Sequence, residues 1–451
     1  MNKRGKFLMG LLGCLWWSNG FAQQSPPRDS TAHSFSLADC INYAYEHQDS
    51  VKNAALDVKS AEYKVKETIG IGLPQVNGSA QFQDYFRVPA QVAPGDFFGR
   101  PGELVPLRFA VKYSTTLTVQ ATQLLFDGTF LVGLQSAKVF KELSQKSFTR
   151  TKIETNSNVT KAYYQVLVSY EQIKLYDANI KQLKQQLDET TQQNKQGFVE
   201  KIDVDRLAVQ YNNLVTNREN VEGGIIIYNQ MLKFQMGMPV DEQLILTDKL
   251  ESVNFSDKPE AVTDTAFYRN RIEYSLLETN KKLNEFDMKE KKARFLPSLS
   301  AFGNLSTSFY ENNFSRLFNN NYPFSFVGLS LNVPIFSGGQ RTNQLRQSKI
   351  NVLKSQNDLH NLKNALMLQA NTANITYING LKSLNNQRSN RELALEVLRV
   401  TKIKYQQGVG SSIEVSQAQN ELESADNQYI QALYNVLVSK VDLDKAYGRL
   451  N

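Results

Sequence analysis

The segment LRFAVKYSTTLTVQATQ, from Leu107 to Gln123, is a long and regular alternation of apolar and polar residues. Successive side chains of a β-strand point to opposite faces, so this pattern predicts a strand with one apolar and one polar face. The predicted apolar face carries Phe109, Val111, Tyr113, Thr115, Leu117, Val119 and Ala121. The predicted polar face carries Arg108, Lys112, Ser114, Thr116, Thr118, Gln120 and Thr122.

Two segments of the second half alternate in the same way. In the first, Leu299, Ala301, Leu305 and Phe309 oppose Ser298, Ser300, Asn304, Ser306 and Ser308. In the second, Val327, Leu329, Leu331 and Val333 oppose Gly328, Ser330 and Asn332. A membrane strand needs about 9–11 residues, whereas the strands of a soluble sandwich usually stop near five or six. Strand length therefore favours a membrane sheet over a soluble one.

The N-terminus has the layout of a secretory signal. Lys3, Arg4 and Lys6 precede a mainly apolar stretch and a small-residue cleavage position at Ala22, which predicts a signal peptide over residues 1–22. The run ending at Cys14 offers a lipoprotein cleavage site as the alternative. Cleavage after Ala22 removes three basic and no acidic residues, so the net charge falls from +7 to +4. No later stretch has the roughly 20 apolar residues of a membrane helix, which leaves export as a soluble protein or crossing as strands.

Short motifs recur in the same order in the two halves. Leu73-Pro74 returns as Leu296-Pro297, Phe126-Asp127-Gly128 as Phe336-Ser337-Gly338, and Gln196-Gly197 as Gln407-Gly408. The interval from Phe126 to Gly197 is 71 positions and that from Phe336 to Gly408 is 72. Matching order and spacing predict an internal duplication.

Each predicted unit has the same plan of a helix, a β-hairpin and two long helices. The initial helices are predicted at about 36–68 and 262–294, each ended by the Leu-Pro pair. Heptad spacing of Leu207, Leu214, Val221 and Tyr228 predicts helices that pack side by side. The first unit spans 23–238, with its hairpin at about 75–126 and long helices over 130–236. A linker at 239–261, expected to form a belt outside the helices, leads to the second unit at 262–451, with its hairpin at about 297–336 and helices over 340–449.

Four strands cannot close a barrel, and lipid does not tolerate open sheet edges. The strands therefore predict that several subunits share one barrel. The longer hairpin loops, 89–106 and 311–323, are expected on the outside of the cell, which places the helices in the periplasm.

The remaining composition argues against other classes of function. Mild positive charge without clustered Lys or Arg is weak support for nucleic-acid binding. Cys40 alone follows the signal segment, so no intrachain disulfide is expected. His33, His47 and His360 are scattered and fit no metal-binding spacing. We therefore predict no enzyme, no catalytic residue, no metal site and no cofactor.

These motifs together resemble the TolC-type outer-membrane efflux protein family. The most specific segments are Leu296-Pro297-Ser298-Leu299, Pro334-Ile335-Phe336-Ser337-Gly338-Gly339, and Tyr405-Gln406-Gln407-Gly408 leading to Ile413-Glu414-Val415. The resemblance implies a mixed α and β membrane protein: a homotrimer whose four strands per subunit form a 12-stranded transmembrane β-barrel in outer-membrane lipid. The barrel would continue into a long antiparallel α-helical coiled-coil periplasmic tunnel.

The resemblance also implies the partners. They are a periplasmic adaptor and an inner-membrane RND or ABC transporter, in a tripartite efflux pump or a type I protein secretion system. A structural coiled-coil protein of the periplasm is the alternative of a different class.

Family positions at the periplasmic tip fall on a few residues. Tyr405, Glu414 and Asp203 match gate tyrosine and acidic positions, and Gly197 and Gly408 match turn glycines where adaptors dock. Gln417 stands where a second acid often follows, and Gly410 where members can carry arginine, so an ion pair at Gly410 is not possible here.

Each of these residues also has a plain local explanation. Ser411-Ser412-Ile413-Glu414 resembles a capping box, and Asp203 suits the first turn of a helix. Glycine supplies the left-handed geometry that ends a helix, and Tyr405 suits interhelical packing. If Asp203 and Glu414 instead face the lumen, a trimer gathers six carboxylates in one cation-binding ring.

Overall fold

The computed structural model describes residues 33–250 and 267–450. The predicted signal peptide, the alternative site at Cys14 and residues 251–261 of the linker lie outside the described residues. In the first half of the chain the elements are β1 (His33–Phe35), α1 (Leu37–His47), α2 (Asp49–Ile71), β2 (Gln75–Asp84), β3 (Gln91–Pro94), β4 (Leu104–Leu107), β5 (Tyr113–Phe126), α3 (Gly128–Lys195), α4 (Lys201–Met236) and β6 (Leu244–Leu246). In the second half they are α5 (Ile272–Ala293), β7 (Ser298–Glu311), β8 (Tyr322–Asn332), α6 (Gln340–Gln406) and α7 (Ser412–Ala446).

The main sheet is antiparallel throughout, with strand order β2-β5-β7-β8. The Leu-Pro pairs end the preceding helices as predicted, since β2 begins directly after Pro74 and β7 directly after Pro297. The predicted strand at Leu107–Gln123 is wrong at its start. Leu107 pairs with Gln91 in a separate two-stranded ribbon of β3 and β4, and the main strand begins only at Tyr113. Residues 108–112, which continue the alternation in the sequence, form no strand, so the pattern overestimates the main strand at its start.

The sheet has one polar and one apolar face. On the polar face, Thr116 and Thr118 of β5 hydrogen-bond across to Ser308 and Ser306 of β7, with oxygen separations of 3.2 and 2.9 Å. Leu117, Val119 and Leu305 lie on the opposite face and are exposed in the single chain. This separation confirms the alternation read from the sequence.

One end of the apolar face carries an aromatic cluster. Phe82 of β2 stacks on Tyr113 of β5 at a ring-centroid distance of 6.3 Å, and Phe314 packs edge-on against both at 6.0 and 5.6 Å. Aromatic rings at the edge of an apolar strand band are typical of a membrane–water interface, where one side of the ring is apolar and the other wet.

Two helical hairpins make up most of the chain. Helix α3 has 68 residues and α6 has 67, which corresponds to about 100 Å each at 1.5 Å per residue. Helix α3 packs on α4, and α6 packs on α7. Gly380 does not interrupt α6: a Cβ there would lie 3.2 Å from Val436 Cγ2, so glycine permits α6 and α7 to approach closely.

The predicted single helix at 36–68 is wrong at Gln48, where the chain divides into α1 and α2. Gln48 is extended (φ −67°, ψ 124°), and its side-chain oxygen accepts the Ser50 N–H at 3.0 Å, so it caps α2. The backbone of Gly237 presses against this position, since a Cβ on Gly237 would lie 2.6 Å from the His47 carbonyl oxygen. The break thus combines a local cap at Gln48 with a close contact from a distant part of the chain.

The second initial helix begins later than predicted. A 3₁₀ turn at Phe267–Asn270 precedes α5, which starts at Ile272. Beside the helices, β6 of the predicted linker pairs in parallel with β1. Asp248 ties this region to the bundle by accepting the Tyr163 hydroxyl at 2.9 Å. Within residues 33–250 and 267–450, no helix combines the length and the apolar character needed to cross a membrane.

Candidate functional site

The two turns that join the long helices have the same backbone geometry. Gly197 (φ 81°) follows α3, and Gly408 (φ 74°) follows α6. The Phe198 N–H returns to the Gln193 carbonyl at 3.0 Å and the Gly197 N–H to Asn194 at 2.9 Å; the second turn repeats both bonds at 3.1 and 3.0 Å. This pair of bonds is a Schellman motif, in which only glycine adopts the left-handed position without strain.

Gly410 is held close to the end of α6. A Cβ at this position would lie 3.1 Å from the Tyr405 backbone nitrogen and 3.2 Å from Lys404 Cβ. A longer side chain would push the turn away from α6. The crowding gives a physical reason for glycine where the family resemblance allows arginine.

Asp203 joins the starts of α4 and α7. Its carboxylate accepts a short hydrogen bond from the Ser412 hydroxyl and lies 3.5 Å from Arg206 Nη1. Arg206 Nη1 also lies 3.4 Å from Ser412 Oγ, so the three side chains form one cluster. The Asp203 side chain is only 18% exposed. The Asp203 carboxylate therefore contacts Ser412 of α7 and the Arg206 guanidinium and is largely shielded from solvent.

Glu414 and Gln417, by contrast, are exposed on α7. The Ser411 hydroxyl accepts the Glu414 N–H at 3.3 Å, which is one half of the predicted capping box. The structure thus places Asp203 against the first residue of α7 but leaves Glu414 facing outward, two residues further on. A capping contribution of Glu414 fits its position in the first turn, where an acid stabilises the helix dipole.

Tyr405 is partly buried and packs on the cluster of Leu398, Val415, Ala418 and Leu422 between α6 and α7. Its hydroxyl is buried and has no hydrogen-bond partner among the described residues. Burial, and secondly the Asp203 carboxylate, raise the pKa of the Tyr405 phenol. Tyr405 therefore fills the interhelical seam while its hydroxyl stays near the Asp203 cluster.

Sequence reasoning missed a row of polar contacts between α4 and α7. In each, the acceptor residue lies 206 positions after the donor, so the two helices run in parallel and in register. The bonds are Arg206 to Ser412 (3.4 Å), Gln210 to the Ser416 carbonyl (3.1 Å) and Asn217 to Glu423 (2.8 Å). No motif of a single sequence indicates them, because neither helix specifies which face meets the other.

A buried junction lies further along α7 from the tip and was also missed. Asp426 accepts Arg391 Nε of α6 at 2.6 Å and Asn179 Nδ2 of α3 at 2.8 Å. The Asp426 side chain is 8% exposed. Beyond it, α7 continues with the apolar residues Ile430, Leu433 and Leu437. Asp426 therefore lies between two apolar clusters along α7 and connects three helices.

Lys402 is a further ionisable group near the tip that the sequence did not single out. Burial lowers the pKa of its ammonium to about 8, and Glu189 of α3 partly opposes this. In the part of the chain that the structure describes, no group of three or more His, Cys, Asp or Glu side chains is placed to hold a metal ion.

The comparisons with known proteins agree with this architecture. The model of the outer membrane efflux protein family matches residues 40–220 and 282–449. The outer membrane protein TolC of Salmonella enteritidis is 24% identical over 352 residues, covering 75% of this chain and 70% of that protein. The proteases secretion protein PrtF of Dickeya chrysanthemi is 21% identical over 350 residues, covering 75% and 73%.

Among solved structures, that of CusC superposes with a TM-score of 0.75 and covers 92% of both chains at 17% identity, so the fold is shared. The family model matches well over half of the sequence in two segments. Each segment contains the turn of one long helical hairpin. The chain belongs to the outer membrane efflux protein family.

Proposed function

We propose that this outer-membrane efflux protein works as a homotrimer, in which each subunit contributes four strands to a 12-stranded barrel. The observation that supports it most is the sheet itself. It has an apolar face, a polar face and two unpaired edges, at β2 and β8. Open edges are not tolerated in lipid, and pairing the β8 edge of one copy with the β2 edge of the next removes every edge at once.

The helices would then continue the barrel as a tunnel through the periplasm. Exposed apolar side chains on α4 and α6, such as Ile226, Met231, Leu368 and Ile375, fit faces that neighbouring subunits cover. We infer that the two similar halves, 23–238 and 262–451 with the linker 239–261, arose by duplication. Three copies of a chain that contains two similar units would form a tunnel with nearly sixfold symmetry.

In this proposal the protein is a passive exit duct and does no chemistry. A periplasmic adaptor docks at the turns around Gly197, Gly408 and Gly410, and an inner-membrane RND or ABC transporter supplies the energy. Asp203, Tyr405, Glu414 and Gln417 lie at the tip where such a duct closes. The Asp203–Ser412–Arg206 cluster supports a closed tip, because it ties the start of α7 to α4.

Export of small molecules is the leading function, in keeping with the family description. Type I secretion of proteins is the second candidate, favoured by the likeness to a proteases secretion protein. Purified full-length protein in planar bilayers should give single channels, and a pull-down from membranes should recover an adaptor and a transporter. Recovery of the mature chain as a soluble protein without detergent would contradict the proposal.

A further inference from the structure

Five aromatic rings lie together on the polar face of β7 and β8. We name this set the aromatic stripe: Phe302, Tyr310, Tyr322, Phe324 and Phe326. The strand register fixes its side of the sheet, since Tyr322 pairs with Ser308, Phe324 with Ser306 and Phe326 with Asn304. Residues directly opposite each other on antiparallel strands project to the same face. The rings therefore lie on the same face of the sheet as the Ser and Thr hydroxyls and the Asn and Gln amides, and not on the apolar face.

Four of the rings lie in two contacting pairs, and Phe324 lies between Tyr322 and Phe326 along β8. Phe302 and Phe326 meet edge-on at a centroid distance of 6.0 Å, and Tyr310 and Tyr322 lie 5.9 Å apart. Phe302 also covers Gly328, where a Cβ would come within 2.7 Å of the ring. Alternate residues of a strand are about 7 Å apart, so the stripe extends over more than 13 Å of β8.

The stripe is uncovered in the subunit and stays so in the proposed trimer. Tyr310, Tyr322, Phe324 and Phe326 are between 48% and 54% exposed, whereas the neighbouring Ser306 and Ser308 are buried. Pairing β8 with β2 of the next copy would bring only polar residues to this face. They are Gln75, Asn77, Ser79, Gln81 and Gln83, which share the side of Thr122 to Ser114 on β5. Exposed aromatic area that assembly leaves uncovered is typical of a binding surface.

The charge of this face restricts what binds. Across the four strands, the polar face carries Gln, Asn, Ser, Thr and aromatic residues with Leu124 and Gly328, and no Asp, Glu, Lys or Arg. Charged residues of the same strands, such as Asp84 and Glu311, pair with Tyr113 and belong to the apolar face. An ionic solute finds no counter-charge here. A neutral solute with a flat ring can stack on the stripe and hydrogen-bond to the adjacent hydroxyls and amides.

We propose that the aromatic stripe is a binding site for neutral aromatic solutes in the lumen of the barrel. The inference rests on the proposed function, because only the closed trimeric barrel makes the polar face luminal. Three stripes, one per subunit, would line the exit path. Since four of the five rings are about half exposed, we expect weak binding, from which the solute leaves again toward the outside.

The test uses the full-length protein in planar bilayers with N-acetyl-tryptophanamide added on the side of the hairpin loops. N-acetyl-leucinamide, equally neutral but without a ring, is the matched solute. In the wild type we expect concentration-dependent interruptions of the current with the tryptophan compound only. The triple variant Tyr322→Ser, Phe324→Ser and Phe326→Ser should weaken this block at least tenfold. The control variant Phe82→Leu, Phe314→Leu removes two rings of the aromatic cluster on the opposite, apolar face and should keep the block.

A second triple variant has Leu at the same three positions and keeps their apolar bulk, in case the serine variant does not fold. We expect it to weaken the block by the tryptophan compound to the same extent. The proposal would be overturned if block persisted in the folded ring variants or if the leucine compound blocked equally well. Maltohexaose, a neutral sugar without an aromatic ring, is a third test solute, and block by it alone would also overturn the proposal. Failure of the wild type to form channels at all would instead refute the proposed function. The two failures are therefore distinguishable.

Discussion

The two halves of the chain share a plan but differ at the tip and at the hairpin loops. Helices α3 and α6 differ by one residue in length, and their turns have the same Schellman bonds. The first turn leads to the partly buried Asp203 with Arg206 beside it, whereas the second leads to Ser412 and the exposed Glu414. Only the first hairpin carries the β3–β4 ribbon. The long helices and their turns are thus shared, whereas Asp203 and Ser412, which differ between the copies, make a contact between the halves.

The largest effect is expected where the second hairpin meets the first at Asp426. Asp426→Ala leaves Arg391 and the buried Asn179 without their partner, which should cost about 3 kcal/mol of unfolding free energy. The matched control is Asp177→Ala. Asp177 binds Arg218 at the same 2.6 Å, but it is 53% exposed and should cost less than about 1 kcal/mol. Urea unfolding in detergent measures the unfolding free energy of both variants. An equal decrease in the two would contradict the expected difference between the buried and the exposed ion pair.

A second comparison uses one glycine from each half. Gly380→Val places a side chain against Val436 where only 3.2 Å is free, and overpacking should cost about 2 kcal/mol. Gly223→Val in α4 meets no atom within 4 Å of its Cβ and should be nearly neutral. The same unfolding assay compares them. A loss at Gly223 as large as at Gly380 would show that contact between α6 and α7 is not the cause.

A third comparison separates the two acids at the tip. Asp203→Ala removes the bond to Ser412 and should raise the open-channel fraction severalfold, whereas Glu414→Ala should not, because Glu414 is exposed. The double variant should weaken cation block of the current, since the proposed ring loses its carboxylates. Single-channel recording tests both statements. Unchanged cation block in the double variant would exclude the ring, and equal opening in the two single variants would exclude the Asp203 link.

The last comparison concerns pH. The Lys402 pKa falls from its usual 10.5 to about 8, so between these values the unfolded chain binds more protons than the folded one. Stability should therefore rise as pH increases from about 8 to 10.5. Lys402→Met should remove this part of the pH dependence. Lys404→Met, at an exposed position two residues away, is the control, and a slope that survives in Lys402→Met would contradict the assignment.

Features fixed by local periodicity were predictable from the sequence. The strands after Pro74 and Pro297, the long helices and the glycine turns follow from alternation, helix continuity and chain termination. The break at Gln48 was not predicted, and Gly237 from another part of the chain packs against it there. The alternation begins at Leu107 of β4 and continues through residues 108–112, which form no strand, so the pattern alone does not reveal where β5 begins.

The candidate site was predictable only in part. Position in the family pattern pointed to Asp203, Tyr405 and Glu414, but not to Arg206 or Ser412, which complete the Asp203 cluster. Those contacts depend on how α4 and α7 are placed side by side. The Asp426 junction was missed for the same reason. An acidic residue in a helix is usually predicted to face solvent, and only the packing of three helices shows that Asp426 is buried.

The central claim is that β8 of one copy pairs with β2 of the next. In a Cys40→Ala background, Ala80→Cys on the β2 edge is combined in turn with Ser325→Cys, Val327→Cys or Leu329→Cys on β8. Within one subunit, two strands separate these edges by about 14 Å, too far for a disulfide. We predict covalent dimers and closed trimers on a denaturing gel for at least one pair, and none for the single variants. Monomers alone for all three pairs, from protein that is folded in the outer membrane, would contradict the account.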